Sequence, residues 1–317
     1  MKSRADLLRS DPPPVPKVAV WARPRGEVLR DVDAAYLAGS ALNSLDNLVR
    51  SDVSCAGVWR QRLALKSAAA AVQLLGRPED ESALRDALLL RAPGDDPGPA
   101  GRMLSAWRRL AGRATRLDAE AVRAVADELE VKWDDDLGDV VDNAEDLVTS
   151  GRPAPVLAAE IAAELYRTRP DAELLAFWLA DLVLAEKFRW PVPVPLLISQ
   201  VNTSGFKSGE PRRRIRPGGE GWGRAVLLAY AQAAAQACDL GADLAQRSVR
   251  LLEVAPKLRA KGAFEIVKLL LDDDALPASW SSAKLSARGA RRLFDRLQDL
   301  GAVRELSGRS TFRLYGL

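Results

Sequence analysis

Ser286-Ala287-Arg288-Gly289-Ala290-Arg291-Arg292-Leu293-Phe294-Asp295-Arg296-Leu297-Gln298-Asp299-Leu300-Gly301 carries both the start and the stop of one helix. A serine ahead of a helix accepts a hydrogen bond from an unpaired first-turn N–H, and a glycine just past the last turn ends it. Between them Ala290, Leu293, Phe294, Leu297 and Leu300 recur at helical spacing and form one apolar face. Arg288, Arg291, Arg292 and Arg296 lie on or beside the opposite face. Upstream, residues 257–271 predict an amphipathic helix with Leu258, Phe264, Val267, Leu270 and Leu271 as its contacts, closed by Asp272-Asp273-Asp274. Pro277 can open a short second helix that ends near Leu285 and is anchored by Trp280. Downstream, Val303-Arg304-Glu305-Leu306 and Thr311-Phe312-Arg313-Leu314-Tyr315 read as two short strands joined by Ser307-Gly308-Arg309-Ser310, a hairpin with a four-residue connection. Three helices followed by a basic hairpin outline a winged helix-turn-helix over residues 256–317.

Charge supports treating that segment as separate. It holds twelve Lys/Arg against seven Asp/Glu, a net of +5, whereas the other 255 residues carry 34 against 36. A local basic module in an otherwise balanced chain is the footprint of a polyanionic partner. In a winged helix the third helix enters the major groove by its N-terminal half, where arginines reach base edges or phosphates. Arg288, Arg291 and Arg292 are accordingly the expected groove contacts, and Lys284, Arg309 and Arg313 the expected phosphate contacts. The bland alternative pairs Arg291 with Asp295 and Arg296 with Asp299 as solvated ion pairs along the helix.

The rest of the chain predicts a helical body over residues 31–255, preceded by an extended, proline-punctuated lead-in over 1–30. Alanine- and leucine-rich segments with helical periodicity alternate with Pro/Gly stops, as at Gly76-Arg77-Pro78, Ser150 to Pro155 and Pro191 to Pro195. Leu174, Leu175, Trp178, Leu179, Leu182 and Val183 show the spacing. Asp118 and Asp171 stand where N-caps belong. Period-two valine and isoleucine runs are missing, so the expectation is all-α: eight or nine helices in the body and essentially no sheet before residue 300. Trp59, Trp107, Phe177, Trp178 and Trp190 read as core. A long helix from about Arg224 to Ala255 follows a Gly/Pro-rich loop, 205–223, that carries Lys207, Arg212, Arg213, Arg214 and Arg216. This second basic patch either neutralises further phosphates or is a solvated loop.

Several chemistries are excluded. The chain has no histidine, so Ser-His-Asp and Cys-His pairs and His-ligated metal centres are absent. Two cysteines, Cys55 and Cys238, permit neither a disulfide framework nor a four-thiolate metal site, and both sit among apolar residues as buried thiols should. Asp135, Asp136 and Asp139 have the spacing of a magnesium-diphosphate motif in an all-helical enzyme, but no second metal motif accompanies them. A helix start explains the same aspartates, since acidic residues favour that end of the dipole. Gly218-Gly219-Glu220-Gly221 follows no strand, and no Gly-Lys-Ser/Thr follows Asp95-Asp96-Pro97-Gly98, so neither is a nucleotide loop. No catalytic residue, metal or cofactor is expected. Nothing near the start forms a secretory signal, and the longest charge-free run, between Arg189 and Lys207, is broken by three prolines. The expectation is a cytoplasmic protein without a membrane span.

The closing residues, Ala283 to Leu293 with Val303 to Arg309 and Phe312 to Leu317, resemble the C-terminal helix-turn-helix of plasmid-associated proteins of rhizobia and their relatives. The whole chain resembles a bacterial family known as domain of unknown function 1403. That resemblance runs from Trp21-Ala22-Arg23-Pro24-Arg25 through Gln61 to Lys66, Pro93 to Arg102 and Val254 to Gly262 to the end. It implies no activity. The reading from the residues is DNA binding in a regulatory or plasmid-associated role, with the helical body supplying dimerisation or docking of a partner. The competing class is a non-enzymatic interaction or scaffold protein whose winged helix packs on protein.

Overall fold

The computed structural model describes residues 14–26, 30–91, 94–112, 116–209 and 213–317. Nine α-helices among the described residues form the body: α1 (Asp31–Arg50), α2 (Ala56–Leu74), α3 (Glu81–Leu89), α4 (Gly98–Gly112), α5 (Ala119–Glu128), α6 (Asp135–Val148), α7 (Ala154–Thr168), α8 (Glu173–Phe188) and α9 (Trp222–Val254). Two more follow, α10 (Ala263–Asp272) and α11 (Ala287–Asp299). The strands are β1 (Lys207–Ser208), β2 (Arg213–Arg214), β3 (Leu276–Pro277), β4 (Arg304–Glu305) and β5 (Leu314–Gly316). The protein is mostly helical, with two small sheets.

Helix α8 lies at the centre. Every residue from Leu174 to Ala185 is buried, so it is apolar all round rather than striped, as a fully enclosed helix must be. The one carboxylate within that buried stretch, Asp181, is spent on the chain that follows: it accepts hydrogen bonds from the N–H groups of Leu196 at 2.7 Å and Leu197 at 3.1 Å. Burial pushes its pKa up to about 7 despite those two donors. Long helix α9 packs on α1. Asp31 pairs with Arg224 at 3.6 Å, Ala34 and Ala38 meet Leu227, and Leu48 meets Gly241, so the two helices run parallel. A Cβ on Gly241 would come within 2.8 Å of Leu48 Cδ2, which is why a glycine sits in this otherwise helix-favouring run. Tryptophan N–H groups tie layers together: Trp59 donates to the Ala237 carbonyl at 2.8 Å, Trp178 to Ala106 at 3.0 Å and Trp222 to Ala159 at 2.8 Å. All five aromatic residues read as core are buried.

The structure revises several expectations. Residues 1–13 and 27–29 of the lead-in lie outside the described residues; between them the chain forms a 3-10 turn at Val20–Ala22, and Arg23 is clamped to Asp239 by two 2.7 Å bonds. Asp118 caps α5 through the Ala121 N–H, as expected. Asp171 does not cap α8, because Pro170–Ala172 forms a 3-10 turn and Asp171 turns to Arg169. Sheet does occur before residue 300. Strands β1 and β2 pair antiparallel inside the Gly/Pro loop, and β3 pairs with β5. The helix expected over 257–271 begins only at Ala263, after a 3-10 turn at Ala255–Lys257.

No helix forms between Pro277 and Leu285; that stretch is turns closed by a bridge between Ser282 and Leu285. Ser282 Oγ bonds Glu265 and accepts from the Lys284 N–H, and such local bonding competes with a helix. The hairpin expected at the end supplies two strands of a three-stranded antiparallel sheet of order β3-β5-β4. Its connection is longer than four residues, since Leu306 N–H still bonds the Leu314 carbonyl across residues 307–313. The boundary at 255/256 has no gap in packing: Ile266, Leu270, Phe294 and Tyr315 belong to the same apolar cluster as Trp107 and Trp178.

Candidate nucleic-acid interface

Helix α11 forms as its sequence requires. Ser286 Oγ accepts the Gly289 N–H at 3.2 Å, Ala290, Leu293, Phe294 and Leu297 are buried, and Gly301 at φ +66° ends it. Phe294 stacks on Tyr315 of β5 with ring centroids 4.8 Å apart and planes 5° from parallel, which fixes the helix on the sheet. The opposite face carries Arg288, Arg291, Arg292, Asp295 and Asp299, all exposed, so residues 31–255 do not cover it. Neither Arg291–Asp295 nor Arg296–Asp299 forms a salt bridge among the described residues. Arg288, Arg291 and Arg292 occupy the first half of the exposed side, and Asp295, Arg296 and Asp299 the second. That order opposes the helix dipole, whose N-terminal end is already positive. Helix stability therefore does not account for it, and it concentrates positive potential at the end that presents free N–H groups.

Lys284 is exposed in the turn just before this end. The two expected phosphate contacts in the hairpin divide. Arg313 is exposed, and its Nε donates to the Arg309 carbonyl at 3.3 Å. Arg309 folds back and its guanidinium pairs with Asp86 of α3. Arg309 is thereby a tether to the body as much as a free cation. Glu305 shapes the connection, accepting from the Ser307 N–H at 2.7 Å and the Gly308 N–H at 2.9 Å. Burial pushes the Glu305 carboxyl up, but these bonds outweigh it and hold it below its ordinary range. Phe312 was not singled out as a site by its sequence. It is 73% exposed beside Arg313 with φ +53°, a left-handed conformation that costs a bulky residue energy.

The aspartates ending α10 explain how the basic segment sits on the body. Asp273 makes a two-pronged pair with Arg108 of α4, at 2.8 and 2.7 Å. Buried Asp274 lies between Arg62 of α2 and Arg85 of α3, the latter at 2.5 Å. Burial raises the Asp274 carboxyl, but the Arg62 charge and the Arg85 bond outweigh it and hold it below the ordinary range. With these two carboxylates paired to body arginines and Arg309 paired to Asp86, eleven cations and five carboxylates are left to the segment, a net of +6.

The loop patch is less free than its composition indicates. Arg214 pairs with Glu173 at 2.5 Å and Arg216 donates to the Tyr166 hydroxyl at 3.2 Å. Lys207 and Arg213 are exposed, and Arg212 lies outside the described residues. This patch precedes α9 and the C-terminal segment follows it. The helix has 33 residues, about 50 Å, so the two basic regions stand at its opposite ends.

The remaining motifs have structural roles. Asp134 caps α6 through the Leu137 N–H, and Asp135, Asp136 and Asp139 are exposed on its surface. No group of metal-ligating side chains is found among the described residues. Asp96 accepts from the Gly98 N–H at 2.9 Å and so already supplies the anion at the start of α4. Cys55 and Cys238 are buried and unpaired, and burial pushes their thiols up to about 11 and about 12. Among the described residues no helix is long and apolar enough to cross a membrane.

These features define a mostly helical protein with an arginine-faced helix backed by a small sheet. The chain belongs to the family described as protein of unknown function (DUF1403), whose model matches residues 6–317. A comparison with curated proteins returns no match.

Proposed function

We propose that residues 256–317 act as a winged helix-turn-helix that binds duplex DNA, with α11 entering the major groove by its N-terminal half. The observation that carries this reading is the cluster of Arg288, Arg291 and Arg292 at the positive end of α11, exposed and without a salt bridge among the described residues. The order α10, β3, turn, α11, β4, β5 supports it, because a strand between the first two elements that joins a terminal hairpin is the winged-helix plan, here with its second helix reduced to turns. Lys284 and Arg313 would hold flanking phosphates, with Arg309 dividing its charge between Asp86 and the backbone. The protein would work in the cytoplasm as a regulator or plasmid-associated factor, not as an enzyme, and the body would dimerise or dock a partner. A protein ligand on the same face is the second reading. Asp295 and Asp299 favour it, since they repel phosphates and would pair with basic side chains.

Fluorescence anisotropy with a mixed-sequence duplex, at low and physiological salt, tests the reading. DNA binding predicts affinity that falls with salt, with Arg291→Ala/Arg292→Ala lowering the logarithmic salt slope by about two. An absence of binding by the wild type at low salt rejects it in favour of the protein ligand.

A further inference from the structure

We propose that the exposed face of α1 pairs with the same face of a second copy of this chain, antiparallel about a two-fold axis. Val20, Trp21, Val32 and Tyr36 are 61%, 63%, 66% and 62% exposed. The Trp21 and Tyr36 rings lie together, with centroids 5.8 Å apart, so the 3-10 turn of the lead-in and α1 present one continuous apolar patch. The solvent side of a helix ordinarily carries charge. This one carries none between Asp33 and Asp46, a run of about three turns in which Ala35, Tyr36, Gly39 and Asn43 are exposed. Depletion of charge together with exposed Tyr and Trp is what distinguishes the centre of a protein interface from ordinary surface. The inference fills in the dimerisation element of the reading above and rests on that element alone, using no residue of α11.

Gly39 points to a copy of the chain as the occupant. It sits in the middle of the 20-residue α1, where glycine is less stable than alanine, and a Cβ built there meets nothing within 4 Å. Gly241, by contrast, is needed, because a Cβ there would strike Leu48. Gly39 thus leaves a hollow that the chain's own packing does not require, three residues after the bulge of Tyr36. Val32, Tyr36, Gly39 and Asn43 follow the four-three-four spacing of a helix seam. In an antiparallel pair this seam complements itself: Tyr36 of each copy lies over Gly39 of the other, and Val32 over Asn43. A parallel pair would set ring on ring and hollow on hollow. A two-fold contact requires such reciprocity. Charge agrees with it. At the two ends of α1, Arg30 pairs with Asp33, Asp31 with Arg224 and Arg50 with Asp46, so these charges do not repel a second copy and offer little to a strongly charged partner. The four exposed side chains present roughly 300–400 Å² of apolar surface. A standard interface takes about 800 Å² per partner, a little over half of it apolar. The patch therefore supplies most of the apolar centre of a modest dimer.

Sedimentation velocity of the full chain over about 1–100 μM tests the pairing, and the wild type should pass from monomer to dimer in that range. Tyr36→Ala should weaken the dimer about 30-fold or more, as the loss of an aromatic anchor does. Gly39→Ala separates pairing from folding. Filling the hollow should weaken the dimer about tenfold, yet the better helix former should raise the melting temperature at the lowest concentration by about 1 °C. Arg291→Ala/Arg292→Ala should dimerise as the wild type does, whether or not the wild type binds DNA, so failure of the DNA reading and failure of this inference are told apart. A wild type that stays monomeric throughout overturns the inference and leaves the face to a different partner. A dimer that neither Tyr36→Ala nor Gly39→Ala weakens is built on another surface and overturns it as well.

Discussion

Asp274→Asn should be the most damaging conservative change in the C-terminal segment. Asp274 is 3% exposed and its two partners, Arg62 and Arg85, are 9% and 8% exposed. The substitution keeps the shape but removes the charge, so two guanidiniums remain in a dry site with an amide N–H₂ facing one of them. Breaking a buried pair in this way costs about 3–5 kcal/mol. Unfolding entropy near 2.1 cal/mol/K per residue over 317 residues gives roughly 0.7 kcal/mol/K, so Tm should fall by about 4–8 °C. Asp273→Asn is the internal control. Its pair with Arg108 has side chains 26% and 23% exposed, and solvent screening should limit the loss to about 1–2 °C. Circular dichroism melts measure both. Hydrogen exchange should show amides of β3, β4 and β5 losing protection before those of α8. Acid behaviour supplies a second check. Because the folded Asp274 carboxyl lies below its ordinary range, its contribution is complete above the unfolded pKa, about 3.9, and disappears as pH falls through the folded value. The wild type should therefore lose its advantage over Asp274→Asn on acidification. A Tm within 1 °C of wild type for Asp274→Asn, or equal losses for the two variants, would refute the assignment of this cluster as the clamp.

Asp181 should show the opposite pH dependence: its folded pKa, about 7, lies above its unfolded value, so its contribution is complete below about pH 4 and lost as pH rises towards 7. Urea midpoints at pH 4.5 and 8 should differ less for Asp181→Asn than for wild type. Arg309→Ala and Asp86→Ala should each destabilise modestly and non-additively, with a coupling of about 0.2–1 kcal/mol in a double-mutant cycle, whereas independent effects would deny the tether. Phe312→Gly removes a left-handed aromatic that is 73% exposed, so it should raise stability by up to about 1 kcal/mol in a denaturant titration; a loss of that size would mean that Phe312 makes a contact its exposure does not suggest.

What could be read from the sequence was local. Ser286 and Gly301 bound α11, Asp118 caps α5, and the apolar spacing of 290, 293, 294 and 297 identified the buried face, because each signal acts within one or two turns. What could not be read was pairing across the chain. Asp272-Asp273-Asp274 has the appearance of a helix terminus, and nothing in its spacing indicates that Asp274 meets Arg62 and Arg85, or that Asp273 meets Arg108. Strand β3 has two residues, too few to show alternation, and it joins the sheet only because Leu276 finds Tyr315. The second helix failed for the opposite reason. Pro277 gave a plausible start, but Ser282 satisfies neighbouring backbone and Glu265 with its own hydroxyl. In the basic loop, composition counted Arg214 as free, while the fold spends it on Glu173.

The fold turns a nearly neutral chain into one with two separated positive ends. The net charge is +3 over 317 residues, too little to attract a polyanion as a whole. Body arginines absorb Asp273 and Asp274 and leave α11 with its own arginines unpaired, whereas Glu173 absorbs Arg214 and leaves Lys207 and Arg213 at the far end of α9. A helix of 33 residues holds the two ends about 50 Å apart, and a duplex rises about 3.4 Å per base pair, so one duplex touching both would have to cover about 15 base pairs along α9. A shorter duplex can engage only one end. Of the two, α11 has the greater reason to bind first under the proposed reading, because it exposes Arg288, Arg291 and Arg292 within its first two turns, whereas the loop pairs Arg214 with Glu173. In the proposed complex the loop would then add phosphate contacts without sequence information, and any choice of site would rest with the first half of α11.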